Sequence, residues 1–275
     1  MLKTRVMTAA VLLAGFVSAL FLLPQNGWIA FCAVFLGLSA WEWGALMALA
    51  AVGRSIYSIF LVGLFVLPGI LETSVTNGRY APAWVYYVAG SFWIVLVPLW
   101  IGWRQRIDGR ALLLAVGAIV LVPAFAAMVD LRSIHPSLLI AVLGTVWVSD
   151  TAAYFAGRRL GRRKLAPSIS PGKTWEGVAG ALAAVGIYAL AWAGLGAPGH
   201  TSAWPAAMRV AVTWILPVLL GLAVVGMIGD LFESLIKRQA GVKDSGTLLP
   251  GHGGILDRID ASVAMLPLAV LAFMR

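Results

Sequence analysis

Residues 210–230 read VAVTWILPVLLGLAVVGMIGD, an apolar run that ends in an aspartate. A helix of this length spans about 30 Å, the thickness of the hydrocarbon core of a bilayer. The chain then becomes polar, because residues 234–260 read SLIKRQAGVKDSGTLLPGHGGILDRID and contain four basic residues, three acids, one histidine and five glycines. This pattern predicts a membrane-spanning helix whose charged end continues into a site for chemistry.

The composition of the whole chain agrees with a membrane environment. Hydrophobic residues make up 61% of the 275 residues and charged residues only 11%, with a mean hydropathy of +0.93. In soluble domains, about a quarter of all residues are charged. We therefore interpret residues 1–275 as a single integral membrane domain without a separate soluble part. The single cysteine, Cys32, excludes an internal disulfide.

Apolar segments of spanning length recur along the chain and predict an all-α, polytopic fold with about nine transmembrane helices. Residues 1–135 would hold the first five helices, and residues 136–275 would hold the remaining four with two charged loops. The predicted segments are 6–23, 28–50, 55–71, 84–102, 111–129, 137–156, 178–197, 210–230 and 259–274.

The distribution of basic residues predicts the orientation. With a cytoplasmic N-terminus and nine crossings, sixteen of the twenty Lys and Arg residues fall on the cytoplasmic side and four on the other. This asymmetry follows the positive-inside rule. The net charge of +9 is then explained by contact with anionic lipid, and no nucleic-acid partner is expected.

Four acids are predicted to meet just below the cytoplasmic surface. Asp150 and Asp230 end two apolar runs, while Asp257 and Asp260 are three residues apart on the first turn of the last helix. Charged groups at such depth are costly and mark functional sites. Glu42, inside the second segment, either supports these acids or pairs with a basic residue. The remaining acids at helix ends are expected to be solvated: Glu72, Asp108 and Asp130.

Carboxylates that converge in a partly dry site suit Mg²⁺, which proteins hold with one or two carboxylates plus substrate phosphates. The cations beside them suit phosphate groups, and the glycines of residues 250–254 allow a backbone to approach a ligand closely. Together they indicate nucleotide or phosphoryl chemistry; the alternative is a structural network in which the charges only neutralise one another. The cations in question are Lys237, Arg238, Lys243 and Arg258.

The second charged loop, residues 149–177, reads SDTAAYFAGRRLGRRKLAPSISPGKTWEG. It is not a Walker phosphate loop, because Pro167 stands where that motif needs glycine. Thr174 is a candidate helix cap, with Glu176 in the first turn. A helix N-terminus with Lys173 beside it can also bind phosphate, and the two uses are compatible.

These motifs resemble the signature of the phosphatidate cytidylyltransferases, or CDP-diacylglycerol synthases. The resemblance rests on Ser234-x-Ile236-Lys237-Arg238, Lys243-Asp244, LPGHGGI at residues 249–255 and Asp257-Arg258-Ile259-Asp260, and it extends to Ser149-Asp150 and Ser170-Pro171-x-Lys173-Thr174 in the upstream loop. It covers the C-terminal half of the chain. It implies condensation of CTP with phosphatidate to give CDP-diacylglycerol and pyrophosphate, with Mg²⁺ and a monovalent cation such as K⁺.

The resemblance also implies roles for individual residues. Asp230 and Asp257 are expected to bind Mg²⁺, and Asp150, Asp260 and Lys243 to complete the catalytic group. The charged loops offer no cysteine and no serine with an evident histidine partner, so direct in-line displacement is expected. The orientation predicted from the basic residues places the active site on the cytoplasmic face of the inner membrane, and the resemblance implies a homodimer. The residues expected to contact the two substrates are Lys173, Thr174, Ser234, Lys237, Arg238, Asp244, His252, Gly253, Gly254 and Arg258.

Rival functions differ in observable ways. A CTP-dependent lipid kinase would use the same substrate but release CDP. A secondary transporter would place its charges near the membrane midplane between repeated halves, whereas here they crowd one face. A CDP-alcohol phosphotransferase would need a motif that the sequence after Asp108-Gly109 does not continue.

Overall fold

The computed structural model describes residues 2–70, 79–103, 109–195, 211–249 and 253–274. Long helices dominate these residues. The helices are α1 Leu2–Leu22, α2 Gln25–Leu46, α3 Ala51–Ile70, α4 Ala83–Ser91, α5 Val97–Trp103, α6 Arg110–Ile134, α7 Pro136–Leu160, α8 Trp175–Leu195, α9 Val212–Gln239 and α10 Leu256–Phe273.

Each of the nine predicted apolar segments overlaps a described helix, so the all-α, polytopic interpretation is confirmed. Within the described residues, seven helical segments are long and apolar enough to cross a membrane. The apolar part of α1, Met7–Leu22, is shorter, and α10 begins with a charged turn. Nine crossings and a cytoplasmic N-terminus therefore stay predictions.

The fourth spanning segment is not a uniform α-helix. A π-helical stretch, Phe92–Leu96, joins α4 to α5, and the N–H of Val97 bonds back to the carbonyl of Phe92. Pro98 follows immediately and has no N–H to donate, so the regular ladder is interrupted at this point.

The loop between α7 and α8 contains two short strands, which an all-α prediction did not include. Strands β1, Lys164–Ala166, and β2, Ser170–Thr174, pair antiparallel, with Lys164 opposite Thr174. The hairpin ends where α8 begins, and it holds Lys173 close to the first turn of that helix.

The N-terminal and C-terminal halves pack together through α10, which contacts α6, α4 and α9. Its contact with α9 is close at Gly229, where an added Cβ would lie 2.6 Å from the Cβ of Ala264 and 2.7 Å from the carbonyl oxygen of Asp260. The lack of a side chain at Gly229 therefore allows the acids of α9 and α10 to lie next to each other.

Asp130, near the end of α6, was expected to be solvated, and this expectation is wrong. It is completely buried and accepts hydrogen bonds from the N–H of Tyr80 at 2.5 Å, the N–H of Ala81 at 3.4 Å and the hydroxyl of Tyr86. Its tyrosine partners compensate for the loss of water. The other two acids expected to be solvated, Glu72 and Asp108, lie outside the described residues.

Candidate active site

Asp257, on the first turn of α10, is surrounded by hydrogen-bond donors. Its Oδ1 lies 2.5 Å from the ammonium nitrogen of Lys237 on α9. Its Oδ2 accepts from the N–H of Ser245 at 2.9 Å, the N–H of Gly254 at 2.8 Å and the hydroxyl of Ser245 at 3.1 Å. Both carboxylate oxygens are thus used by the protein, and this carboxylate ties the end of α9 to the loop and to α10.

Lys237 also contacts a second acid, Glu233, one turn earlier on α9. Its Nζ lies 3.2 Å from Glu233 Oε1, and Glu233 is 5% exposed. The sequence analysis did not single out Glu233. Its i, i+4 spacing from Lys237 is the signal that could have revealed it.

Asp230 belongs to a second group of charges beside the first. Its Oδ2 lies 2.6 Å from the ammonium nitrogen of Lys173 on β2, and the hydroxyl of Ser234 donates to its Oδ1 at 3.4 Å. Asp150 and Asp260 lie close enough to Asp230 to interact with it electrostatically. We call Asp150, Asp230 and Asp260 the acid group; α7, α9 and α10 each contribute one member, as the sequence predicted.

The acid group and Asp257 differ in the donors that they receive. Apart from Lys173 and Ser234, the described contacts of the acid group include only the N–H of Ala261, which donates to Asp260 at 2.8 Å. Carboxylates held together with few donors repel one another in a medium of low polarity. Such an arrangement favours a bound cation.

Metal binding has to be compatible with this donor set. Among the described residues, no three acidic, histidine or cysteine side chains are arranged to hold a metal by themselves. Mg²⁺ needs only one or two protein carboxylates when phosphates supply further oxygens. Asp230 with one neighbour of the acid group satisfies this requirement, whereas Asp257 would first have to exchange its protein donors.

Glu42 reaches the site from α2. Its Oε1 accepts from the N–H of Ile255 at 3.0 Å, and its Oε2 accepts from the N–H of Leu256 at 2.9 Å and the hydroxyl of Ser245 at 3.0 Å. The sequence left open whether Glu42 supports the acids or pairs with a basic residue. These contacts favour the first interpretation, because they connect Glu42 to the loop and helix that carry Asp257. No Lys or Arg of the described residues forms an ion pair with Glu42.

The upstream hairpin positions Lys173 through the cap of α8. The hydroxyl of Thr174 accepts from the N–H of Gly177 at 3.1 Å, and Thr174 is 5% exposed, so the predicted cap is confirmed. The carboxylate of Glu176 accepts from the N–H groups of Arg162 at 3.1 Å and Arg163 at 3.2 Å, which fixes the start of the hairpin.

The remaining predicted substrate contacts that the structure describes lie around the rim of the site. Arg238 is exposed and donates to the carbonyls of Val242 at 3.3 Å and Ile169 at 3.5 Å. Gly253 adopts a φ of +83°, which favours glycine, and its carbonyl accepts from Leu249 at 2.9 Å to close the loop. Three charged residues of this rim are exposed: Lys243, Asp244 and Arg258. His252 lies outside the described residues.

Comparison with known proteins gives a consistent result. The model of the cytidylyltransferase family matches residues 3–274. A phosphatidate cytidylyltransferase of Pseudomonas aeruginosa is 38% identical over 277 residues, which cover 97% of this chain and 95% of the relative. One of Haemophilus influenzae is 34% identical over 97% of this chain and 96% of the relative, and one of Bacillus subtilis is 43% identical over 44% and 42%.

Proposed function

Because the chain belongs to the cytidylyltransferase family, we propose that it transfers the cytidylyl group of CTP to phosphatidate in phospholipid biosynthesis. The products are CDP-diacylglycerol and pyrophosphate. The observation that carries the proposal is the identity to relatives named phosphatidate cytidylyltransferase over nearly their whole length. The apolar helices suit an enzyme whose lipid substrate stays in the bilayer.

The charges of the site suit two polyanionic substrates. Among the described residues, five carboxyl groups lie near two ammonium groups, those of Lys173 and Lys237, so acidic groups outnumber basic ones at the centre of the site. A cation would balance the charge of these acids and attract phosphate oxygens. The five carboxylates belong to Asp150, Asp230, Glu233, Asp257 and Asp260.

The acid group is where we place Mg²⁺, with Asp230 as the first ligand and Asp150 or Asp260 beside it. A metal ion at this position would neutralise phosphate charge. We keep Asp257 as a ligand only on condition that it releases Lys237 or a loop N–H. A monovalent cation such as K⁺ is proposed from the family resemblance alone, as is a homodimer.

The chain's own cations position the substrates. Lys173 stands at the N-terminus of α8, where oriented N–H groups also favour phosphate. Arg238, Lys243 and Arg258 are exposed around the rim and suit the triphosphate and the lipid phosphate. Holding both reactants in line supplies much of the rate enhancement in such a reaction.

The reaction itself is proposed as a direct displacement. A phosphate monoester has a second pKa of about 6, so phosphatidate is largely ionised at neutral pH. Its phosphate oxygen bonds to the α-phosphorus of CTP, the bond from that phosphorus to the bridging oxygen breaks, and pyrophosphate leaves. The described loops offer no cysteine, and their serines have no histidine partner, so no cytidylyl-enzyme is expected.

We place the active site on the cytoplasmic side of the inner membrane, with nine crossings and a cytoplasmic N-terminus. The asymmetry of basic residues supports this orientation. A cysteine at Arg162, an exposed position in the loop after α7, should react only with membrane-permeant reagents in intact cells. The native Cys32 is buried and gives little background. Labelling by an impermeant reagent would reverse the orientation.

Product analysis tests the function directly. Purified enzyme with Mg²⁺, phosphatidate and CTP labelled at the α-phosphate should transfer the label to lipid and release pyrophosphate. A lipid kinase would release labelled CDP, and a transporter would leave CTP intact. In a separate reaction without phosphatidate, label supplied in pyrophosphate should not enter CTP; its entry would indicate a covalent intermediate.

A further inference from the structure

We propose that Glu42 is a positioning residue for the reaction, which sets the location of Asp257 and of the N-terminus of α10 from the other half of the chain. The inference rests on the proposed function. It assigns to α2, which carries none of the signature residues, a part in the geometry of the catalytic site.

Glu42 performs the task of a helix cap over a long distance in sequence. Ile255, the residue before α10, makes no side-chain hydrogen bond that would cap the start of the helix. Instead, the two oxygens of Glu42 accept the N–H groups of Ile255 and Leu256, more than two hundred residues away. The negative charge also interacts favourably with the positive end of the helix dipole. The position at which α10 starts therefore depends on α2.

Ser245 carries this dependence to Asp257. Its hydroxyl lies 3.0 Å from Glu42 Oε2 and 3.1 Å from Asp257 Oδ2, and its backbone N–H donates to the same oxygen of Asp257 at 2.9 Å. A hydroxyl has one proton, so it donates to one of the two carboxylates at a time. The two acids thus share a single donor, and movement of one affects the other.

The loop leaves no room around the Glu42 carboxylate. A Cβ at Gly246 would lie 2.5 Å from Oε1, and a Cβ at Gly254 would lie 2.5 Å from Oε2. Glu42 itself is 2% exposed. Because the loop that precedes Asp257 packs against this carboxylate at both glycines, a change at Glu42 should displace that loop as well as α10.

The test compares two buried carboxylates of the same kind. Glu42→Gln removes the charge and half of the acceptor capacity at the site. Asp130→Asn does the same at the opposite end of the protein, where Asp130 is equally buried and accepts backbone N–H groups. Both variants are purified in detergent, their folded fractions are measured by thermal melting, and kcat and KM are determined for both substrates.

A positioning role predicts that kcat falls while KM stays nearly constant. The kcat of folded Glu42→Gln should fall about 100-fold, the effect of misplacing a site by about 1 Å, while KM for CTP and phosphatidate changes little. Asp130→Asn should lose stability but keep kcat. Equal kcat in folded Glu42→Gln and wild type would overturn the inference.

A second variant decides the case in which Glu42→Gln does not fold. Ser245→Ala removes only the shared hydroxyl and keeps the N–H bond to Asp257, and its kcat should fall about tenfold or more. Where Glu42→Gln does fold, the two losses should not add in the double variant, because both act through one link. Full activity of Ser245→Ala, or additive losses, would make Glu42 a structural residue only. Failure of the proposed function would appear separately, as the wrong product from wild-type enzyme.

Discussion

Asp257 and Asp230 were both predicted to bind Mg²⁺, and they lie in neighbouring parts of one site, but their surroundings differ. Asp257 has four protein donors within hydrogen-bond distance, one of them shared with Glu42, and its side chain is 6% exposed. Asp230 receives Lys173 and one long hydrogen bond from Ser234, its side chain is 29% exposed, and it faces Asp150 and Asp260. The first carboxylate is satisfied by the protein, while the second keeps capacity for a cation.

The difference separates two uses of acids in a single cluster. The interpretation of the charges as a structural network applies to Asp257, whose ion pair with Lys237 joins α9 to α10. The acid group is the part of the cluster for which we propose a cation and phosphate site. Substitutions that remove one charge from each region should therefore have different consequences for folding and for catalysis.

The largest effect is expected from Asp257→Asn. The amide of asparagine turns a donor toward either Lys237 or the loop N–H groups, and the buried ion pair is lost. The free energy of unfolding should fall by about 3–5 kcal/mol, and activity should fall more than about 100-fold. Thermal melting and product formation measure the two effects. Lost activity with wild-type melting would instead assign Asp257 to the metal.

Asp230→Asn should affect catalysis without a comparable loss of stability. Activity should fall about 100-fold to 1,000-fold, since the first of the proposed metal ligands loses its charge. The partly exposed ion pair with Lys173 contributes at most about 1 kcal/mol, and repulsion from Asp150 and Asp260 is relieved. The same two assays apply. Destabilisation equal to that of Asp257→Asn would remove the distinction between the two regions.

Binding of Mg²⁺ provides a measurement that does not depend on turnover. A hundredfold excess over the dissociation constant stabilises a protein by about 2.7 kcal/mol, so Mg²⁺ should raise the melting temperature of the wild type at constant ionic strength. The increase should persist in Asp257→Asn and disappear in Asp230→Asn. The opposite pattern would place the metal at Asp257.

The smallest effect is expected from Lys173→Met. Loss of this ammonium group should raise KM for CTP about tenfold, or about 1.4 kcal/mol, with little change in stability. Lys164→Met is the matched control, because Lys164 is exposed on the same hairpin and is not assigned to the substrates. Equal effects of the two substitutions would reduce the role of Lys173 to general attraction of anions.

The structure agrees with the sequence wherever the signal is local. Each predicted apolar segment falls on a described helix, and Thr174 caps α8 as its position before Trp175-Glu176 suggested. Both signals depend on neighbours along the chain, namely runs of apolar residues and a hydroxyl three residues before a free N–H. The meeting of Asp150, Asp230 and Asp260 also followed, because the ends of spanning helices have similar depth.

The sequence did not reveal which distant residues donate hydrogen bonds to a buried carboxylate. The burial of Asp130 depends on Tyr80 and Tyr86, and the environment of Glu42 depends on Ser245 and the start of α10. The short hairpin and the π-helical stretch are likewise too brief to produce a periodic pattern.

The sequence by itself determined that this chain is a helical membrane protein, that its acids and bases collect at the ends of α7, α9 and α10, and that its motifs are those of a cytidylyltransferase. Only the tertiary structure decided which carboxylates are satisfied by the protein and which stay open. The physical reason is that hydropathy and motif spacing are properties of nearby residues. The donors around a buried carboxylate, by contrast, come from helices that meet only after the chain has packed.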